Sequence, residues 1–166
     1  NTPGYKRVRE LDMKKSEGVD IACDIMAPES KTAFKDMGTY DVVLCASLLE
    51  HVEDRNVVLN RIKALIKTGG VIILSVPYRF RYHPDPLDTM YRPSNTELQA
   101  LFPHEAYEII VSEIIECPSW PSLINKNKMR DAIVYYLDKI VSLFKLGCYD
   151  ENLWPSRVSM IAARKR

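Results

Sequence analysis

The chain has 166 residues and a mass of 19.1 kDa, enough for one domain that buries roughly 70% of the surface its unfolded form exposes. Hydrophobic residues make up 46% and charged residues 27%, which excludes disordered, collagen-like and coiled-coil classes for the whole chain. Twenty-three Lys and Arg against 22 Asp and Glu give a formal charge of +1, against a dedicated nucleic-acid binder, and no apolar run reaches the about 18 residues of a membrane span.

Taken in chain order, short strand-like runs alternate with helical patterns. Residues Tyr5 to Asp12 read as a weak strand ending in an acid, and Gly18 to Asp24 as a second of the same kind. Tyr40 to Ala46 is a third, with the continuous apolar stretch of a strand buried on both faces. Asp54 is a predicted N-cap, followed by Val58, Ile62, Leu65 and Ile66 on one helical face, with Gly69-Gly70 expected to stop the helix. Val71 to Val76 is a strong central strand closed by Pro77. A loop rich in Pro, Arg and Tyr is expected over 78–93. Pro93-Ser94-Asn95-Thr96-Glu97 then opens a short helix with a capping box, turning Leu98, Leu101 and Phe102 inward. Tyr107 to Ile115 is a further strand. Met129, Ile133, Tyr136, Leu137, Ile140, Val141 and Phe144 mark a long amphipathic helix, and Arg157 to Ala163 a last strand, with Arg164-Lys165-Arg166 as a solvated tail.

This alternation predicts a single α/β domain over 1–166: a Rossmann-like three-layer sandwich with a mostly parallel sheet. The segment 118–156 is a helical insertion or cap between the last two strands, one of which is expected to run antiparallel at the sheet edge. The four cysteines, Cys23, Cys45, Cys117 and Cys148, form no C-x-x-C pair. With no secretory pattern at the start, they read as reduced, buried thiols of a cytoplasmic protein, and no metal site is expected.

Ligands of such sheets bind beyond the carboxyl ends of the strands. Asp12 at the end of the first strand can accept from both hydroxyls of a ribose. Asp24 at the second can accept from an adenine amino group. The small residues Cys45-Ala46-Ser47 at the third let a ligand approach the backbone. Acids at strand ends are also common turn formers, and that reading stands beside the functional one.

The segment Tyr40-Asp41-Val42-Val43-Leu44-Cys45-Ala46-Ser47-Leu48-Leu49-Glu50-His51-Val52 resembles the fourth-strand motif of class I S-adenosylmethionine-dependent methyltransferases. Its spacing to Leu65-Ile66-Lys67-Thr68-Gly69-Gly70-Val71-Ile72-Ile73-Leu74-Ser75-Val76-Pro77 resembles that family's next motif. The resemblance runs from Gly18 to Phe102. It implies S-adenosylmethionine as cofactor, Asp12 as the ribose acid, Asp24 as the adenine-side acid, and Ile25, Ala46 and Ser47 as pocket lining. One departure is large: the family's Gly-rich loop precedes the ribose acid, whereas here eleven residues precede Asp12 and Gly4 is their sole glycine. Together with Asn1 in place of Met, this reads as a domain truncated at its N-terminal strand. That strand would lie between those ending at Asp12 and Ala46, so unpaired edges there offer a route to homo-oligomers.

Methyl transfer from a sulfonium is an in-line displacement that needs placement more than reactive side chains. An oxygen or nitrogen acceptor still calls for a base, for which His51 and His83 are the candidates, with Asp85 beside them. The loop after Val76 faces the acceptor in the family. Arg79, Arg81, Tyr82, Asp85 and Arg92 are therefore the expected substrate-binding residues, suited to an acidic acceptor unless the arginines pair with Asp85 and Asp88. The expected activity is methylation of a small-molecule or glycan-type acceptor. A non-catalytic remnant or interaction module is the alternative, favoured by the missing loop, and a nicotinamide dehydrogenase ranks last.

Overall fold

The computed structural model describes residues 8–28, 30, 34, 37–83, 87–117 and 156–166. Strands β1 (Leu11–Asp12) and β2 (Ile21–Ala22) pair in parallel as a small sheet of their own. Their register is fixed by Glu10, whose carbonyl accepts from the Asp20 and Ile21 N–H groups and whose N–H donates to the Asp20 carboxylate. Strands β3 (Tyr40–Ala46), β4 (Ile66–Arg79), β5 (Tyr107–Cys117) and β6 (Ser156–Lys165) form a second sheet in the order β3-β4-β6-β5. Among the described residues β1 and β3 are not paired with each other, so each keeps one open edge.

The sheet is parallel only in part. β3 and β4 run together, and β6 is antiparallel to both of its neighbours. The antiparallel strand is thus interior, not at the edge as expected. Composition explains the placement. β6 buries Val158, Ser159, Met160, Ile161 and Ala163, residues from both of its faces, as a central strand must. β5 leaves Ile110 and Ile114 exposed and carries Glu108, Glu113 and Glu116, which suits an edge.

Parallel β3 and β4 need a crossover, supplied by α1 (Arg55–Leu65). Asp54 caps it as expected, its carboxylate accepting from Asn56 N–H at 3.0 Å and Val57 N–H at 3.3 Å. Val58, Leu59, Ile62 and Leu65 are buried. The shared core holds Val58, Leu59 and Ile62 with Ile72, Leu74 and Val76 of β4 and Ile161 and Ala163 of β6. A second helix, α2 (Asn95–Gln99), has the expected capping box between Ser94 and Glu97. It adds Leu98 and, just beyond its end, Phe102 to the same core, and Phe102 meets Tyr107 edge to face at 5.2 Å. No helix among the described residues is long and apolar enough to cross a membrane. The expected cap helix and the second helical layer it would supply lie outside the described residues.

Three local expectations are corrected. The glycine pair does not end α1. The helix stops at Leu65 and the chain is already extended at Ile66. Gly70 is instead needed for close approach: a Cβ there would meet the Asp41 carbonyl oxygen at 2.9 Å and the Ile66 side chain at 2.7 Å. Gly70→Ala is expected to cost about 1–3 kcal/mol of stability, read as a lower urea midpoint. Pro77 does not close β4, which continues to Arg79. β3 ends opposite Ser75, so no neighbour on that side wants the missing N–H. The basic tail is not free either. Arg164 and Lys165 belong to β6, Arg164 pairs with Glu108, and Lys165 Nζ donates to the Ile66 carbonyl at 3.0 Å.

Candidate functional site

Asp12 closes β1 and Asp24 follows β2, both exposed. Each does what a strand-end acid does locally. One Asp12 oxygen accepts from Lys14 N–H at 2.7 Å, and one Asp24 oxygen accepts from Met26 N–H at 2.7 Å. That leaves the second oxygen of each carboxylate for another donor. The turn after Asp24 is held by α1. The Arg61 guanidinium donates to the Ile25 carbonyl and, at 2.9 Å, to that of Ala27, and lies over the Phe34 ring. Arg61 carried no signal in the sequence, because a polar position on an amphipathic helix is expected to face water.

At the end of β3, Cys45 is buried in the core, and burial, followed by the nearby Glu50 charge, pushes its thiol up to about 12. Its side chain therefore belongs to packing, and only its backbone is available to a ligand. Cys23, by contrast, is half-buried and not enclosed as expected. Ala46 is half-buried. Ser47 sits in the left-handed region at φ 45° and donates its N–H to the Ser75 carbonyl at 3.0 Å. A non-glycine residue held there stores strain of order 1–3 kcal/mol, as ligand-facing turns often do.

A 3-10 turn follows, Leu49–His51. Glu50 is fully buried, and neither carboxylate oxygen meets a hydrogen-bond partner in good geometry among the described residues. Burial pushes its carboxyl above the ordinary range, against the opposing pull of a backbone N–H and of His51 and Arg92. The segment 87–92 is fastened across this turn. Thr89 donates to the Glu50 carbonyl from its N–H at 2.9 Å and its hydroxyl at 3.0 Å. Arg55 stacks on Tyr91, 4.3 Å from the ring centre. His51 Nδ1 donates to the Leu87 carbonyl at 2.5 Å. His83 arrives from the other side of the loop, its ring edge-on to His51 with centroids 5.0 Å apart. The two imidazoles expected from the sequence are thus in contact.

Asp88 anchors the loop. Its side chain is fully buried and receives Arg92 at 2.6 Å, His83 N–H at 3.0 Å and Met90 N–H at 2.8 Å, with His83 Nδ1 at 3.1 Å. Burial alone would raise its carboxyl, but the Arg92 pairing and the two N–H bonds prevail and hold it well below the usual carboxylate range. Arg92 is engaged with Asp88 and with the Phe80 and Arg81 carbonyls, so it builds the loop and is not presented to an acceptor. Arg79, the last residue of β4, and Arg81 and Tyr82 just after it are exposed, and Asp85 lies outside the described residues. The sequence reading passed over Glu50. Its one signal was an acid set among Leu48, Leu49 and Val52.

The α/β fold, with parallel β3 and β4 joined by a crossover helix and β6 antiparallel beside them, suits a class I S-adenosylmethionine-dependent methyltransferase domain. The chain matches the family described as methyltransferase domain over residues 8–114, and it belongs to that family. Among curated relatives it is similar to a ubiquinone biosynthesis O-methyltransferase of Colwellia psychrerythraea, 41% identical over 58 residues, which are 35% of this chain and 23% of the relative. It is likewise similar to one of Ralstonia nicotianae, 35% identical over 75 residues, 45% of this chain and 31% of the relative. The chain thus matches less than a third of the length of these relatives. Among solved structures, coclaurine N-methyltransferase bound to N-methylheliamine and SAH superimposes with a TM-score of 0.48 at 18% identity, over 90% of this chain and 53% of that one.

Proposed function

We propose that this chain is the core of an enzyme that moves a methyl group from S-adenosylmethionine to an oxygen of a small-molecule acceptor. The observation that carries the proposal is the contact between His51 and His83 beyond β3 and β4, next to the strained Ser47 turn that ends β3. The oxygen acceptor follows the relatives, which are named as O-methyltransferases. Their ubiquinone-pathway names favour such a small molecule over the glycan-type acceptor.

Two exposed carboxylates, each accepting through one oxygen from a nearby backbone N–H among the described residues, suit the polar half of the cofactor. Asp12 would accept from the ribose hydroxyls and Asp24 from the adenine amino group, with Ile25, Ala46 and Ser47 lining the pocket. When bound, the cofactor supplies an electrophilic methyl on a sulfonium. The chain's task is to bring an acceptor into line with it and to exclude water. His51 and His83 are the groups that engage the acceptor's reacting oxygen. Arg79, Arg81 and Tyr82, with Asp85, receive its remaining polar groups. A cytoplasmic location is part of the same proposal, on the cysteine pattern of the sequence, which has no C-x-x-C pair.

In a catalytically active form of the protein, the Arg79→Ala/Arg81→Ala double variant is expected to raise KM for the acceptor about tenfold or more, a loss of order 1.4 kcal/mol. Cofactor affinity should stay within about twofold. An equal loss of cofactor affinity would assign the loop to the cofactor site. A second reading, a methyltransferase-fold module without catalysis, is favoured by the edges of β1 and β3 that stay open among the described residues. Those edges would then pair with strands of another chain. Transfer of labelled methyl to a panel of phenols and glycosides separates the readings, since a module transfers to none.

A further inference from the structure

We propose that Glu50, His51 and His83 form a binding site for a divalent transition-metal ion. One ligand atom from each lies within 4.8 Å of the others, close enough for a single ion to contact all three after small rotations. The three come from two segments, the turn after β3 and the loop after β4, so the fold assembles the set and no local sequence motif does. Asp88, five residues after His83 in the sequence, is not part of the cluster. Asp88 is engaged with Arg92 and backbone N–H groups instead.

Independent features point to a cation. Glu50 is fully buried, yet neither of its oxygens has a hydrogen-bond partner among the described residues. Buried polar atoms are nearly always satisfied, so an orphaned carboxylate asks for an ion or a proton. The imidazoles are prepared as ligands. His51 Nδ1 gives its proton to the Leu87 carbonyl at 2.5 Å, so the neutral ring presents Nε2, which lies 3.8 Å from a Glu50 oxygen. His83 Nδ1 faces the Asp88 carboxylate and the Arg81 carbonyl, each at 3.1 Å. Nε2 is then its available nitrogen, in the carboxylate–histidine arrangement typical of metal sites. The scaffold is stiff, because Thr89 and Arg55 bind the two segments together. The histidines are 19% and 26% exposed, which leaves a way in.

Two imidazole nitrogens and one carboxylate select zinc, cobalt, iron or manganese over magnesium and calcium, which prefer all-oxygen shells. Three protein ligands leave positions for water or an acceptor oxygen. The existence of the site stands apart from the methyl-transfer reading, but its use rests on it. A hydroxyl bound to the ion would lose its proton to solvent more readily, and the C–S bond would break as the C–O bond forms. The imidazoles would then serve as ligands, not as bases.

The test is a titration of the chelator-stripped 166-residue chain with Co2+, without S-adenosylmethionine. Expected are visible ligand-field absorption saturating at one equivalent and displacement by Zn2+. His83→Gln and the near-isosteric Glu50→Gln should each weaken binding at least about 100-fold, with far-UV circular dichroism unchanged. Should Glu50→Gln fail to fold, the partly exposed His83→Gln carries the test alone. Absent ligand-field bands in the unaltered chain, or undiminished affinity in His83→Gln, would overturn the site. A chain that binds Co2+ in this way but comes from a protein with no methyl transfer would keep the site and sink the functional reading.

Discussion

Asp88→Asn is expected to remove about 3–5 kcal/mol of folding stability, the usual penalty for leaving one partner of a buried ion pair uncompensated. The Asp88 side chain is fully buried and the Arg92 side chain is 11% exposed. The amide cannot balance the guanidinium, and it also weakens what His83 N–H and Met90 N–H donate to. For a domain of this size such a loss is a large share of the total. Urea denaturation measures it, and the double variant with Arg92→Met should recover part of the loss because no buried charge is then left alone. The pH dependence is distinctive. Asp88 titrates below its unfolded value of about 3.9, so its contribution is complete above that pH and is lost as the pH falls through the folded value. The variant should therefore show a flatter acid limb. Glu50 acts with the opposite sign, because its folded value is raised. It favours the fold below the unfolded carboxyl value and disfavours it as the pH rises. Similar acid limbs in Asp88→Asn and the unaltered chain would show that Asp88 does not anchor the loop.

What the sequence made legible, and what it hid, follows from how far apart the interacting residues are. β3, the Asp54 cap and the Ser94–Glu97 box are local features and stand where their patterns put them. The family was legible because two of its motifs flank one crossover helix. The end of α1 was misread because Gly69-Gly70 is a strong stop signal. In fact Gly70 answers a steric demand from Asp41, twenty-nine residues away. The interior position of β6 depends on pairing with residues 39–58 and 78–93 positions earlier, which no local pattern encodes. In the candidate site His51 and His83 were legible as residue types, but their contact was not, since the loop that joins them is shaped by Asp88 and Thr89. Arg92 looked like a substrate ligand for the same reason: a cation in a loop shows nothing in sequence about the buried carboxylate it faces.

The 166 residues, as an isolated monomer, are expected to bind S-adenosylmethionine more weakly than about 1 mM, less than about 4 kcal/mol of affinity. The strand-end acids sit on one sheet and the Ser47 turn on another, and among the described residues no ladder joins β1 to β3. One face of β3 is also open among the described residues: Val42 is 37% and Leu44 40% exposed, although the apolar run predicts a strand enclosed on both faces. Among the described residues the halves are tied by Arg61 to the Ile25 and Ala27 carbonyls, by Arg9 to the Tyr40 hydroxyl, and by Ile25 and Met26 packing against the core. Such contacts set the distance between Asp12 and Ser47 less firmly than a hydrogen-bonded strand would. A misplaced acid forfeits a charge-assisted contact worth about 1.5–3 kcal/mol. In a form of the protein that carries a Gly-rich strand and turn, binding should be restored. Asp12→Ala should then weaken it by the same amount, about 10- to 150-fold. Calorimetric titration of both forms, with the oligomeric state fixed by light scattering, decides the matter. Tight binding by a demonstrated monomer of these 166 residues would show that Asp12, Asp24 and the Ser47 turn hold the cofactor without a strand between them.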